Sequence, residues 1–118
     1  MKLIIILVVV LSGCSYPGEK WTKTNYALHG VMTTTMAADW LQTKEIARND
    51  RWHEKNKILG KHPNQKEVNL YFLGAWIFNT GITHFTKSQF RFVPQIGVTA
   101  IHGKAVIDNH NLGIRVNF

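Results

Sequence analysis

The chain has 118 residues, room for one domain, and a formal net charge of +7. Such basicity suits nucleic acid, an anionic membrane surface or an acidic partner; no Gly-rich aromatic nucleic-acid motif accompanies it, so no nucleic-acid partner is expected. Cys14 is the only cysteine, which excludes an intrachain disulfide and a cysteine-based zinc site.

The chain opens Met-Lys, continues as an apolar run from Leu3 to Leu11, and reaches Leu11-Ser12-Gly13-Cys14. One positive charge, an apolar stretch and small residues before a cut site predict a secretory signal peptide. The run is too short for a membrane span of about 20 residues. Leu11-Ser12-Gly13-Cys14 resembles the lipobox of bacterial lipoproteins. That resemblance implies cleavage before Cys14, a diacylglyceryl group on its sulfur and usually a further acyl chain, such as palmitate, on the new amine. It also implies a lipid-anchored protein facing the periplasm, and Ser15 after the cysteine favours the outer membrane. An ordinary cut site with an incidental cysteine is the plainer alternative. The organisation read from this is a signal peptide over 1–13, a lipidated tether over 14–25 and one helical membrane-associated domain over 26–118.

Pro17, Gly18 and alternating polar residues make Tyr16 to Asn25 an expected tether with little structure. Tyr26 to about Asn49 lacks proline and supports a helix, although Thr33, Thr34 and Thr35 are mediocre helix formers. On that helix Met32, Met36, Asp39, Gln42, Thr43 and Ile46 share one face, with Trp40 and Leu41 turned away. Arg48 to Lys66 is a basic connector, with Gly60 and Pro63 as helix stop and turn and a short helical turn around Trp52 to Lys57. Its Arg48, Arg51, Lys55, Lys57, Lys61 and Lys66 form a basic patch. Against anionic headgroups each is worth ~1 kcal/mol; otherwise the patch is a solvated loop.

Glu67 and Lys87 bracket Val68 to Thr86, which carries no formal charge and as a helix covers about 28 Å, close to a hydrocarbon core. The expected fold is therefore mainly α, two to three helices, with a helical hairpin around the basic connector. Residues 26–48 and 68–86 are its candidate spans, and a cytoplasmic connector would satisfy the positive-inside rule. A shorter apolar run, Ile96 to Ile107, follows Pro94. The last residues, Asn111 to Phe118, alternate with period two and predict a short extended or strand-like tail. The terminal Phe also resembles the insertion signal of outer-membrane β-barrels, which leaves a barrel-associated protein as one alternative. The chain is too short for a full eight-stranded barrel.

Asp39-x-x-Gln42-Thr43, then Glu54-x-Asn56-x-x-Leu59-Gly60-x-x-Pro63, then the aromatic apolar segment, together resemble a group of small uncharacterised bacterial and phage helical membrane proteins. The likeness covers residues 36–86, with Lys57 standing where that turn often has Pro. It implies a helical membrane protein without an assigned activity. Asp39, Gln42, Thr43, Glu54 and Asn56 are the candidate polar site, because an ionisable residue in a membrane segment is a functional candidate by default. The structural alternative is a hydrogen-bond network of Asp39 with Gln42 and Thr43. His53-Glu54 is no zinc-protease motif, since position 57 is Lys. No catalytic nucleophile motif, metal site or cofactor is expected. The function anticipated is an envelope protein that acts by binding or occlusion at a membrane. Its partners are membrane lipid through acylated Cys14 and a second envelope protein. The competing class is a small membrane-embedded enzyme or transport accessory using Asp39 and Glu54.

Overall fold

A computed structural model describes residues 19–49, 52, 58–60 and 62–116, and they are mainly helical. The elements are α1 (Lys23–Arg48), α2 (Gln65–Phe85), a single 3-10 turn (Ser88–Phe90) and α3 (Phe92–Asn111). The signal segment, Cys14, Arg51, Glu54, Lys55, Asn56, Lys57 and Lys61 lie outside the described residues, as does most of the helical turn expected around Trp52.

α1 and α2 start where a side chain satisfies the first backbone N–H groups; α3 starts without a side-chain cap. Thr22 caps α1: its hydroxyl accepts from the Asn25 N–H and the Asn25 side chain accepts from the Thr22 N–H, both at 3.1 Å. This reciprocal cap starts the helix three residues earlier than expected, inside the supposed tether. The sequence hides it because Asn, not Glu or Gln, fills the third helical position. Asn64 and Glu67 form the same arrangement ahead of α2, both bonds at 2.9 Å. In α3, Pro94 falls within the first turn, where a missing N–H removes no intrahelical bond.

After α3 the described chain makes a turn, and the last two residues of the expected extended or strand-like tail, 117–118, lie outside the described residues. Asn111 is still helical, and Gly113 takes φ +93°. The Gly113 N–H then donates to the His110 carbonyl at 3.0 Å and the Ile114 N–H to the Asn109 carbonyl at 2.9 Å. This glycine-dependent helix stop seats Ile114 in the core at 3 % exposure. The alternation of Leu112, Ile114 and Val116 therefore reflects a turn and a short extended tail, and no strand occurs among the described residues.

Side-chain pairs fix the topology. From Thr33 with Trp76, through Trp40 with Asn69, to Lys44 with Gln65, contacts run in opposite senses along α1 and α2, so these helices are antiparallel. From Asn25 with Gln95, through Asp39 with His102, to Gln42 with Val106, they run in the same sense, so α1 and α3 are parallel. α1 is the central helix and packs most extensively on α3. Its buried residues are Asn25, Met32, Met36, Asp39, Gln42, Thr43 and Ile46, which contain the whole face expected from spacing. Trp40 is not turned away: it stacks on Phe72 with ring centroids 6.1 Å apart and planes 3° apart.

The interior of the bundle is rich in polar side chains. Among the described residues nine polar or charged side chains are buried against six apolar ones, while seventeen large apolar side chains are exposed. Soluble proteins bury charged and amide side chains only rarely, so the interior of this bundle is held by polar pairing as much as by apolar burial. No helix among the described residues is long and apolar enough to cross a membrane, so the spans expected over 26–48 and 68–86 are not supported. Helices do cover both segments. The threonine run, Asp39 and Gln42 of α1, and Asn69, Asn79, Thr83 and His84 of α2, keep them too polar.

Candidate functional site

The centre of the bundle is Asp39 of α1 facing His102 of α3. Asp39 Oδ2 lies 2.6 Å from His102 Nδ1, with the two residues 7 % and 8 % exposed. With Asp39 as the carboxylate, the Nδ1–H donates, which sets the imidazole orientation. Thr43, one helical turn after Asp39, donates its hydroxyl to the Asp39 carbonyl at 2.8 Å and lies 3.4 Å from Oδ1. Phe72 of α2 packs against the His102 ring at 5.8 Å between centroids and covers the pair from the third helix.

The sequence-predicted site is thus assembled in part. Asp39 and Thr43 are bonded as the structural alternative foresaw. Gln42 is buried beside them but does not join Asp39. Its Nε2 donates to the carbonyls of Val106 and Ile114, both at 3.3 Å, and ties the end of α3 to α1. Glu54 and Asn56 lie outside the described residues. His102 is the partner sequence reasoning missed, 63 positions from Asp39, and its only signal was a histidine inside an apolar run.

Arg91 is a second polar centre that the sequence did not flag. It is 1 % exposed, and its five N–H groups meet five acceptors. Nε donates to Thr83 O at 3.2 Å; Nη1 donates to Lys20 O at 3.1 Å and Asn25 Oδ1 at 3.3 Å; Nη2 donates to Glu19 O at 2.9 Å and His84 O at 3.3 Å. The Thr83 and His84 carbonyls belong to the last turn of α2, which carries partial negative charge; Thr83 O also accepts from the Thr86 N–H at 3.3 Å. One guanidinium therefore closes α2, fixes the residues before α1 and lies 5.6 Å from the Trp21 ring centroid. Residues 19–22 are consequently pinned to the bundle rather than free.

His29 sits between these centres, in contact with Trp21 and Trp76, its Nε2 3.4 Å from the Thr80 hydroxyl. Burial lowers its pKa from 6.5. Further along the same side of α1, Thr33, Met36, Ala37 and Trp40 meet Phe72, Leu73 and Trp76 of α2 around an apolar groove of about 130 Å³. Both indoles there are already donors, Trp40 to Asn69 at 3.0 Å and Trp76 to Thr33 at 3.0 Å.

Chemically, Asp39–His102 is an ion pair or a neutral hydrogen-bonded pair, and Thr43, the hydroxyl nearest Asp39, donates its proton to the Asp39 carbonyl. Among the described residues no three His, Cys, Asp or Glu side chains group as metal ligands. Of the basic patch, Arg48 and Lys66 are described; both are exposed, at the ends of α1 and α2 that adjoin through Gln65 Nε2 donating to Lys44 O at 3.0 Å. Compared with protein-family models, with curated proteins and with solved structures, the chain finds no match.

Proposed function

We propose that this is a lipid-anchored envelope protein that acts by binding at a membrane, lying in the boundary between headgroups and acyl chains with the outer sides of α2 and α3 against lipid. The observation that carries the proposal is the outward apolar surface on a bundle with a polar interior. Leu70, Leu73, Ile77 and Phe78 of α2 and Phe92, Val93, Ile96 and Ile107 of α3 are each more than two-fifths exposed. Contiguous apolar surface on that scale marks an interaction site, and a helix face of this kind suits the interfacial layer. Charge is placed to match. Val68 to Thr86 and Phe92 to Gly103 contain no Asp, Glu, Lys or Arg, and the one such residue between Thr24 and Thr43, Asp39, is buried.

Anchor and face reinforce each other. Glu19, pinned to the bundle, is five positions after Cys14, so an acyl group on Cys14 holds the bundle within about 18 Å of its attachment point. One acyl chain alone gives marginal binding, and a second signal makes anchoring stable. Lys44, Arg48 and Lys66 at the far end add attraction to anionic headgroups.

The test is metabolic labelling with a palmitate analogue on wild type, Cys14→Ser and Ile77→Lys/Ile96→Lys, followed by membrane fractionation. Expected are label lost only in Cys14→Ser, and extraction by alkaline carbonate made easier in the double lysine variant. Absence of any Cys14-dependent label, or extraction indifferent to the two lysines, refutes the proposal. The buried Asp39–His102 pair favours a second reading, a membrane-associated enzyme or transport accessory. Under it Asp39→Asn abolishes activity per molecule of folded protein; under the first reading Asp39→Asn only lowers abundance.

A further inference from the structure

The groove between α1 and α2 is more specific than the apolar faces around it. We propose that it holds one acyl chain of an anionic phospholipid, with the phosphate at Lys44 and Lys66; this rests on the membrane-binding reading above.

The lining selects the occupant. Met36, Ala37, Trp40, Phe72, Leu73 and Trp76 present almost only carbon, and the two indole N–H groups are engaged by Asn69 and Thr33. A peptide laid in the groove would find no indole donor for its carbonyls and would leave them unsatisfied, whereas a hydrocarbon chain needs none. The volume of about 130 Å³ is near that of a cavity that takes a benzene ring, so it holds a segment of one chain rather than a whole lipid.

Charge marks one end of the groove. Lys44 lies four residues beyond Trp40 and seven beyond Ala37, on the same side of α1. Lys66 lies seven residues before Leu73, on the same side of α2. The Gln65–Lys44 hydrogen bond joins these two helix ends, so both cations stand at one mouth. From Trp40 to Thr33 the α1 wall of the groove runs about 10 Å, the length of roughly eight methylenes, and Lys44 stands one turn beyond it. At the other end Thr33 and Trp76 close on each other through their hydrogen bond. Cations at the mouth and carbon along the wall match an anionic headgroup on an acyl chain.

The experiment is quenching of tryptophan fluorescence by lipids brominated on the acyl chain, using the full chain in phosphatidylcholine vesicles. Trp21→Phe/Trp52→Phe leaves Trp40 and Trp76 as reporters, with far-UV circular dichroism to verify the helices. Brominated phosphatidylglycerol or brominated phosphatidylcholine is added as the same minor fraction. Expected is a preference for the anionic lipid, about fivefold for each lysine at the headgroup, which falls to unity in Lys44→Gln/Lys66→Gln. Ala37→Leu, which puts a side chain into the groove, removes the preferential quenching while vesicle binding persists. Equal quenching by both headgroups, or quenching unmoved by Ala37→Leu, overturns the groove assignment and leaves membrane binding intact. Failure of the protein to sediment with vesicles overturns both.

Discussion

His102→Leu is the sharpest probe of the polar interior. The substitution keeps an apolar-compatible volume but leaves the Asp39 carboxylate, 7 % exposed, with only Thr43 at 3.4 Å. Removing one member of a buried pair costs about 3–5 kcal/mol, because the remaining charge is uncompensated. Asp39→Asn differs: its side-chain oxygen still accepts from His102 Nδ1, so the loss is that of a charge-assisted bond, about 1–2 kcal/mol. Replacing both, Asp39→Leu/His102→Leu, removes the unpaired charge altogether and lands near wild type or above it. A domain of this size shifts its midpoint by roughly 4–8 °C per kcal/mol, so the ordering is resolvable in thermal melts followed at 222 nm. The decisive quantity is the coupling between the two sites. If the single effects simply add in the double variant, within about 0.5 kcal/mol, Asp39 and His102 are not energetically paired and the polar-core account fails.

Arg91→Lys keeps the charge but offers three donors where the guanidinium makes five bonds, so at least two of those bonds are lost, at a cost of about 1–3 kcal/mol. Because those acceptors include Glu19 and Lys20, limited proteolysis after Lys20 should accelerate before the rest of the bundle opens; unchanged cleavage there would show that Arg91 does not pin the entry to α1. His29 supplies the pH dependence. Its pKa is lowered by burial, so the unfolded chain, titrating near 6.5, takes up the proton first. Its contribution is therefore complete above about pH 6.5 and is lost as pH falls below that value. Denaturant midpoints should drop from about pH 7 to 5 in wild type and flatten in His29→Gln, which retains a partner for Thr80; equal slopes in the two proteins would rule the residue out.

Much of the fold was legible locally. Absence of proline over Tyr26 to Asn49 and absence of charge over Val68 to Thr86 placed α1 and α2 within a few residues. The three-and-four spacing of Met32, Met36, Asp39, Gln42, Thr43 and Ile46 identified the buried side of α1. The errors have local causes too. An Asn in the third helical position disguised the cap at Thr22. Trp40 was misplaced because α1 has two partners, and a single face period describes only one of them.

The candidate site was legible by half. Asp39 and Thr43 announce themselves four residues apart on one helix, whereas His102 and Arg91 act through carbonyls and carboxylates more than sixty residues away. No spacing rule relates such positions. By itself, then, the sequence determined that α1 and α2 form, within a few residues of their ends, and which side of α1 is buried. Only the tertiary structure decided which sides of α2 and α3 turn inward. Both helices carry apolar residues over much of their surface, so periodicity leaves the choice open. It is settled by Asp39, Asn25 and Gln42 on α1, whose buried polar groups draw His102, Arg91, Gln95 and the Val106 carbonyl inward and leave the large apolar side chains outside.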